Sequence, residues 1–247
     1  MTTVTTVPIG PPGIESVVAS LRELVVDRSH PGDKLPPEAE LAATLAVSRL
    51  TIREALKVLA GSGLVELAKG RRAVVRAMDS SVLSDYLAVA LRRDPSGYLE
   101  LNAIRQSLEA LSAGAAARTA GPAGMRAIDA ALERMRDEAA HRADAPAEEL
   151  GGYHDADLEF HSAIALAGGN RMLALILDSL SECLRESFVQ SARGHLARGG
   201  TVQDDLAAHE AIGEAIRARD SARAERLMRA HLGSAERDIR LAMAGRA

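Results

Sequence analysis

The 247-residue sequence has one cysteine, no tryptophan and an aromatic content of 2%. The single cysteine, Cys183, excludes an intrachain disulfide and is typical of a protein in a reducing cytoplasm. The scarcity of aromatic side chains argues against an RNA or single-strand binder, because such proteins stack bases on aromatic rings. No apolar run approaches the length of a transmembrane helix, so we expect no membrane partner.

Residues 1–13 also lack the basic segment and apolar core of a signal peptide, and their polar, Pro/Gly-rich composition predicts a flexible tail. The net charge of −4 excludes little by itself, but its distribution is informative. Residues 14–76 hold 10 Lys/Arg and 8 Asp/Glu, a local charge of +2, so the remainder carries −6. A slightly basic first part on an acidic second part fits a DNA-binding domain joined to another domain.

A segment beginning at Ser48 predicts a helix with two distinct faces. Its apolar stripe consists of Ile52, Ala55, Leu56 and Leu59. Its basic stripe consists of Arg49, Arg53 and Lys57, spaced four apart. Ser48 stands at the N-cap position, where its hydroxyl can hold free backbone N–H groups. The positive end of the helix dipole there, beside Arg49 and Thr51, favours a phosphate.

A shorter helix precedes this one, with Pro37 in its first turn and Leu41 and Leu45 as its buried face. Only residues 46–47 separate the two helices, which is the helix-turn-helix pattern. After Gly63, two predicted strands at 64–67 and 73–75 flank a basic turn, forming a wing.

The candidate DNA-binding residues are Ser48, Arg49, Thr51, Arg53, Lys57, Lys69, Gly70 and Arg71. The alternative is an ordinary helical hairpin whose charges are merely solvated. We favour DNA binding because the helix pair and the basic wing occur together.

Residues 17–75 resemble the winged helix of GntR-type bacterial transcriptional regulators. The matching positions are Gly32-Asp33-Lys34-Leu35-Pro36, Glu38, Leu41-Ala42, Val47-Ser48-Arg49, Arg53-Glu54-Ala55-Leu56, Leu59 and Gly63-Leu64-Val65. The resemblance implies binding to double-stranded operator DNA. Two identical readers impose two-fold symmetry on their site, so we expect a homodimer on a palindromic operator. The chain departs from the family at Ala39, usually an arginine, and at Arg72, usually a second wing glycine.

The chain after a predicted linker at 77–80 is helical in pattern, with no credible strand. We predict helices near 81–92, 98–119, 122–141, 147–167, 170–193, 202–218 and 221–243. The expected fold is therefore mainly α: an N-terminal winged helix-turn-helix at 14–76 and a C-terminal all-α bundle of about seven helices at 81–243.

Four polar residues in the predicted bundle suggest a metal site. Asp157 and His161 lie four apart and share one helix face. His209 and His231 lie 10 residues before and 11 residues after the turn at 219–220, so antiparallel helices bring their imidazoles together. Three histidines and one carboxylate are donors that a first-row divalent metal accepts. Each histidine taken alone is better explained as a core or surface residue than as a metal ligand, and the metal hypothesis rests on the four residues together. The other histidines are predicted at the surface: His30, His141, His154 and His195.

Arg105 shares a helix face with Leu101 and Leu108, which draws its guanidinium into the bundle. A buried charge needs a partner. That partner is either Glu109 four residues on, solvent reached by snorkelling, or the carboxylate of a ligand.

Residues 81–242 resemble the FCD ligand-binding domain of the FadR-type subgroup of GntR regulators. The matching features are Arg105-x-x-Leu108-Glu109, Asp157-x-x-Phe160-His161, Asn170, His209-Glu210-Ala211-Ile212 and His231-Leu232, with a departure at Ala103. The resemblance implies that Asp157, His161, His209 and His231 hold a divalent metal, zinc first and nickel or manganese as alternatives. A metal with four protein ligands keeps one or two open positions, and we expect a small carboxylate effector there, bound with help from Arg105 and Asn170.

The sequence therefore predicts a cytoplasmic, homodimeric transcriptional regulator that responds to a small organic acid at a metal-containing site. We expect it to act as a repressor. Two alternatives remain open. One is a metal-dependent enzyme with a DNA-binding appendage, since zinc with an open position can activate water. The other is a direct metal sensor. We predict no enzymatic activity, because no further carboxylate is placed as a general base and the family is not enzymatic.

Overall fold

The computed structural model describes residues 13–77, 79–93, 97–142 and 145–244, with only the backbone described for 92, 181–183 and 186. The predicted tail lies outside these residues apart from Gly13, as do parts of the predicted helix breaks at 94–97 and 143–146. The chain divides into two compact units between Val82 and Leu83. The predicted linker ends just before that division, and the domain boundaries proposed above stay predictions.

The first unit is a three-helix arrangement with a two-stranded wing. Its elements are α1 (Ile14–Arg28), α2 (Glu38–Thr44), α3 (Arg49–Gly61), β1 (Val65–Glu66) and β2 (Val74–Val75). The strands pair antiparallel, Val65 opposite Val75 and Glu66 opposite Val74, and are shorter than predicted. The predicted apolar stripe of α3 lies in the core of this unit, where Ile52 and Leu59 are fully buried.

Local backbone chemistry explains where α3 begins and ends. The Ser48 hydroxyl accepts a hydrogen bond from the Thr51 backbone N–H over 3.0 Å, so Ser48 is the N-cap. Ala46 takes a left-handed conformation with φ 52°, which lets the chain turn sharply between α2 and α3. Gly63, with φ 72°, turns the chain from α3 into β1 at a position where a side chain would be strained.

The second unit is a helical bundle. Its elements are α4 (Ser81–Arg93), α5 (Gly97–Thr119), α6 (Pro122–His141), a 3₁₀ turn (Ala147–Glu149), α7 (Gly151–Ala167), α8 (Arg171–Ala197), α9 (Val202–Arg217) and α10 (Ser221–Ala244). The structure confirms the predicted fold class. The predicted helix at 147–167 is divided, with its first residues in the 3₁₀ turn.

The bundle core surrounds the face of α7 that carries the candidate metal ligands. Phe160, on α7, is fully buried together with Ile212 on α9 and Met228 on α10. Ala113, Ala116 and Ala117 on the buried face of α5 belong to the same core, and their small side chains allow close helix approach. A capping box at Thr201 and Asp204 fixes the start of α9. These contacts hold α5, α7, α9 and α10 around one polar centre. Among the described residues, no helix is both long enough and apolar enough to cross a membrane.

Candidate metal centre and DNA-binding surface

Four donors from three helices meet inside the second unit. Asp157 and His161 come from α7, His209 from α9 and His231 from α10, and one ligand atom of each lies within 4.8 Å of all the others. Asp157 Oδ1 is 2.6 Å from His209 Nε2 and 3.4 Å from His161 Nε2. The antiparallel arrangement of α9 and α10 therefore brings the two C-terminal histidines together, as their spacing predicts.

Neighbouring acceptors orient the imidazole rings. His209 Nδ1 donates to the main-chain oxygen of Asp205 over 2.8 Å, which turns its Nε2 towards Asp157. A Glu109 carboxylate oxygen contacts His161 Nδ1, and Asp205 Oδ1 lies 3.8 Å from His231 Nδ1. Histidines that bind metals through Nε2 are commonly anchored through Nδ1, as His209 and His161 are here, whereas the separation at His231 is too long for a hydrogen bond.

The electrostatics of the cluster leave a place for a cation. Burial disfavours the charged form of His161, but the carboxylates of Glu109 and Asp157 outweigh it and raise the His161 pKa to about 9. Burial likewise opposes the charge on His209, yet its acidic neighbours raise its pKa. Burial and the two adjacent imidazoles lower the pKa of His231. Despite burial, His161 and His209 keep the pKa of Asp157 well below its ordinary value.

The residues present fit a divalent metal ion. With its Nδ1–H donated to a carbonyl, His209 faces Asp157 with a nitrogen that needs a proton or another cation between them. Both ring nitrogens of His161 are buried; Nδ1 lies against the Glu109 carboxylate, and Nε2 faces Asp157 Oδ1 at 3.4 Å. Nitrogen and oxygen donors in this number suit zinc, nickel or manganese, so the donor set does not select one metal.

Arg105 lies beside the metal cluster and pairs with Glu109. Its guanidinium Nε donates to Glu109 Oε1 over 2.6 Å, and both side chains are almost fully buried. Burial opposes ionisation of Glu109, but Arg105 and His161 lower its pKa to about 2. The intrahelical partner considered from the sequence is therefore present, and Glu109 links Arg105 to the metal cluster.

A small cavity of about 40 Å³ opens beside these groups. The polar and charged side chains that line it include Asn102, Arg105, His154, Asp157, Asp205 and His231. Asn170 is not among its lining residues. It is exposed, and its side chain caps α8 by accepting the Leu173 backbone N–H over 3.0 Å. The expected pairing of Arg105 with Asn170 at an effector site is thus not formed, and Asn102 lies in the cavity instead.

The prediction that His154 lies at the surface is wrong, because the side chain is buried in the bundle. It is 3% exposed, because it precedes Asp157 by one helical turn and shares the inward face of α7. Its ring lies 4.2 Å from that of Phe188, centroid to centroid. His195 is also partly buried, and its Nε2 donates to the main-chain oxygen of Thr201. The sequence signal that could have indicated the burial of His154 is its spacing from Asp157 and His161, which places all three residues on one face of α7.

The first unit presents a separate concave surface between α3 and the wing. The candidate residues lining it are Arg49, Arg53, Lys57, Lys69, Gly70 and Arg71. Ser48 and Thr51 lie outside this lining set; Ser48 caps α3, and its hydroxyl lies 2.8 Å from that of Thr51. The helix and the wing therefore present their basic side chains to one surface.

Two of the basic side chains are held by acidic neighbours. The guanidinium of Arg53 forms a forked pair with Glu38 on α2, with Nη2 to Oε2 at 2.8 Å. Lys57 pairs with Glu54 over 2.9 Å. Both pairs are largely exposed to solvent. Exposed ion pairs contribute little to stability, so phosphate can compete for these cations at small cost.

Arg72 performs a structural role in the wing. Its Nε donates to the Leu35 main-chain oxygen over 2.6 Å and its Nη2 donates to that of Lys34 over 2.9 Å. The segment before α2 is also bridged to Val74. Arg72 therefore fixes the base of the wing, at the position where the resemblance leads one to expect glycine.

Replacing Arg72 and Arg71 separately distinguishes wing structure from DNA contact. We expect Arg72→Ala to lower the free energy of unfolding of the first unit by about 1 kcal/mol, because two hydrogen bonds to carbonyls are lost at a partly exposed site. Arg71→Ala is the matched control and leaves that stability unchanged while weakening DNA binding. Urea unfolding and DNA titration of both variants test this. Equal stability of Arg72→Ala and the parent contradicts the role of Arg72.

Family comparisons agree with the two units. Residues 14–75 match the family described as bacterial regulatory proteins, gntR family, and residues 100–234 match the FCD domain. The chain belongs to the GntR family of bacterial transcriptional regulators and carries an FCD domain. It is thus a DNA-binding transcriptional regulator, and its family and relatives are regulators rather than enzymes.

Individual relatives cover most of the chain. It is 33% identical to the HTH-type transcriptional regulator LutR of Bacillus subtilis over 207 residues, covering 83% of this chain and 91% of LutR. It is 28% identical to the galactonate operon transcriptional repressor of Escherichia coli, and the match covers 91% of this chain and 95% of that repressor. Among solved structures, Streptococcus agalactiae GntR is similar with a TM-score of 0.72 and 26% identity, covering 91% of this chain and 99% of that one.

Proposed function

We propose that this regulator binds its operator as a homodimer and that a small organic acid, held at a metal-containing site, controls its operator affinity. The observation that carries the proposal is the cavity in which Arg105 and the ligand cluster of Asp157 and His231 lie together. A metal ion bound there supplies Lewis-acid attraction for a carboxylate oxygen. The residues proposed to hold it are Asp157, His161, His209 and His231.

The protein's own residues supply the remaining recognition. Arg105 lines the cavity, and Glu109 holds its guanidinium in place through Nε. A guanidinium fork suits a carboxylate better than an ammonium does, because it presents parallel donors. Asn102 is fixed by donating to the Leu232 main-chain oxygen over 2.9 Å, which ties α5 to α10. A ligand that binds between α5 and α10 would therefore change how these two helices pack in the bundle.

The relatives support an acid of this kind. One is named for a galactonate operon, and another is the putative L-lactate dehydrogenase operon regulatory protein of Escherichia coli, 29% identical over 223 residues. Galactonate and lactate are both hydroxy acids. We propose regulation by linkage: the acid binds one conformation of the bundle more tightly, and this preference shifts operator affinity. We propose repression as the sign, with a palindromic operator.

The effector proposal predicts a thermal shift that needs both the metal and Arg105. Small hydroxy, keto, di- or tricarboxylic acids are expected to raise the melting temperature of the metal-loaded protein and leave the chelator-treated protein unchanged. Arg105→Ala should blunt the shift, because a carboxylate partner is lost. Arg118→Ala, in the last turn of the same helix, is the control. A bulky neutral ligand that stabilises the metal-free protein, with no effect of acids, contradicts the proposal.

Metal affinity is expected to increase with pH. Without metal, His161 holds a proton up to a pKa of about 9, and a metal ion must displace it. Below that pKa, each proton displaced weakens the apparent affinity by about tenfold for each unit by which the pH falls. Competition with a coloured chelator at about pH 6 and about pH 8 measures the slope. An affinity independent of pH would show that His161 does not exchange a proton for the metal.

A further inference from the structure

The imidazole of His154 is a buried polar group for which the described residues supply no hydrogen-bond partner. Both Nδ1 and Nε2 are inaccessible to solvent, and neither is hydrogen-bonded within the described part of the chain. Burying a polar group without a partner is destabilising, so such groups are kept where a ligand or water satisfies them. His154 lines the small cavity together with Arg105 and Asp157.

His154 stands apart from the metal cluster. It precedes Asp157 by one helical turn, so the two Cβ atoms are about 5–6 Å apart and their side chains face adjacent parts of the cavity. His154 is not a member of the four-residue donor group. An acid whose carboxylate lies at Arg105 and the metal would therefore reach His154 with an atom further along its carbon chain.

The charges around the cavity favour one carboxylate and no second one. A divalent ion and Arg105 bring three positive charges, while Asp157 and Glu109 bring two negative ones. Asp205 adds a further negative charge at a partly exposed position. At most one positive charge is left over, which a single carboxylate neutralises. A second buried carboxylate would lack a partner, and burying an unpaired charge is strongly unfavourable.

The chemistry of His154 favours a hydroxyl group as its partner. Burial lowers the His154 pKa to about 4, so the ring is neutral at physiological pH, with one N–H donor and one acceptor nitrogen. A hydroxyl both donates and accepts, so it pairs with either tautomer. A neighbouring pocket of about 350 Å³ shares Phe188, Asp205 and His231 with the cavity and gives room for a longer chain.

Resting on the proposed function, we infer that His154 is a specificity-determining residue that binds a hydroxyl beyond the metal-binding end of the acid. The site thus selects polyhydroxy monocarboxylates over dicarboxylates and over acids with a single hydroxyl. The smallest member of this class is 2,3-dihydroxypropanoate. It differs from 2-hydroxypropanoate by one hydroxyl, so this pair isolates the contribution of His154.

Calorimetric titration of the metal-loaded, full-length protein with this pair of acids and with 2-hydroxybutanedioate tests the inference. The parent should bind the dihydroxy acid about five- to tenfold more tightly than the monohydroxy acid, the value of one added hydrogen bond. The dicarboxylate should bind most weakly. His154→Phe should bind the two monocarboxylates equally, and His154→Gln, which keeps a donor and an acceptor, should recover part of the ratio. The exposed His141→Phe is the matched control and should behave as the parent does.

The outcomes separate this inference from the proposed function. An equal affinity of the parent for the two monocarboxylates, or an unchanged ratio in His154→Phe, overturns the role of His154 and leaves an acid effector standing. Failure of all three acids to bind the metal-loaded parent overturns both. Metal content and circular dichroism verify that each variant is folded, and His154→Leu replaces the phenylalanine variant if it is not.

Discussion

His209→Ala is expected to remove the response of this protein's stability to metal. The parent should lose about 2.7 kcal/mol when a chelator removes a metal present at about 100 times its dissociation constant. For a unit of this size that corresponds to a fall of about 5–11 °C in melting temperature. His209 is fully buried and is the closest imidazole to Asp157, so the variant loses a central donor. Its melting temperature should not change with chelator.

The quantity that decides this test is the difference in melting temperature between chelator-treated and untreated samples of the same variant. His209→Ala also leaves Asp157 without a close partner, so its metal-free stability falls for a reason unrelated to metal. His141→Ala, at the exposed end of α6, is the control and should respond to chelator as the parent does. Metal analysis of protein purified without chelator accompanies the scans. A parent that contains no metal and ignores the chelator rules out the metal centre.

Arg49→Ala and Arg53→Ala are each expected to weaken specific DNA binding by about 1–3 kcal/mol, or roughly 5- to 150-fold, if these side chains reach base edges. Both lie on the exposed side of α3 and line the concave surface facing the wing. Arg53 must exchange Glu38 for DNA, but that exposed pair is worth less than the expected contact. The operator is first isolated by selection from random duplex DNA, and affinities are then measured at one fixed salt concentration.

Arg28→Ala provides the control for these DNA-binding variants. Arg28 lies in the last turn of α1, pairs with Glu23 and does not line the concave surface. Its replacement should leave operator affinity unchanged. Parent-like binding by both α3 variants would instead mean that α3 does not read the operator.

The fold could be predicted largely from local sequence signals. Ser48 marks the start of α3 because a hydroxyl before an apolar stripe caps a helix, and the structure contains that hydrogen bond. The spacing of His209 and His231 about a single turn predicts their meeting across α9 and α10, where their rings lie 4.2 Å apart. Helix boundaries and contacts between adjacent helices could be predicted because they depend on sequence patterns within one helix or across one tight turn.

The interior of the site could not be predicted in the same way. That Asn102 reaches the cavity depends on how α5 packs against α10, and no periodicity in the sequence reports that packing. Asn170 caps α8, which the general preference of asparagine for helix starts could have indicated. The second partner of Glu109, His161, likewise arises only where α5 meets α7. The predicted metal and effector remain predictions tested by the experiments above.

Operator affinity measured with and without metal, across a titration of 2,3-dihydroxypropanoate, tests the central claim most directly. Fluorescence anisotropy of labelled operator DNA gives the dissociation constant in each condition. Coupling between two sites is typically worth about 1–3 kcal/mol, so we predict a change of about 5- to 150-fold in affinity on adding the acid to metal-loaded protein. We predict no change on adding the acid to chelator-treated protein. An equal effect of the acid in both conditions, or a full effect of metal alone, would contradict control of operator binding by an acid held at the metal site.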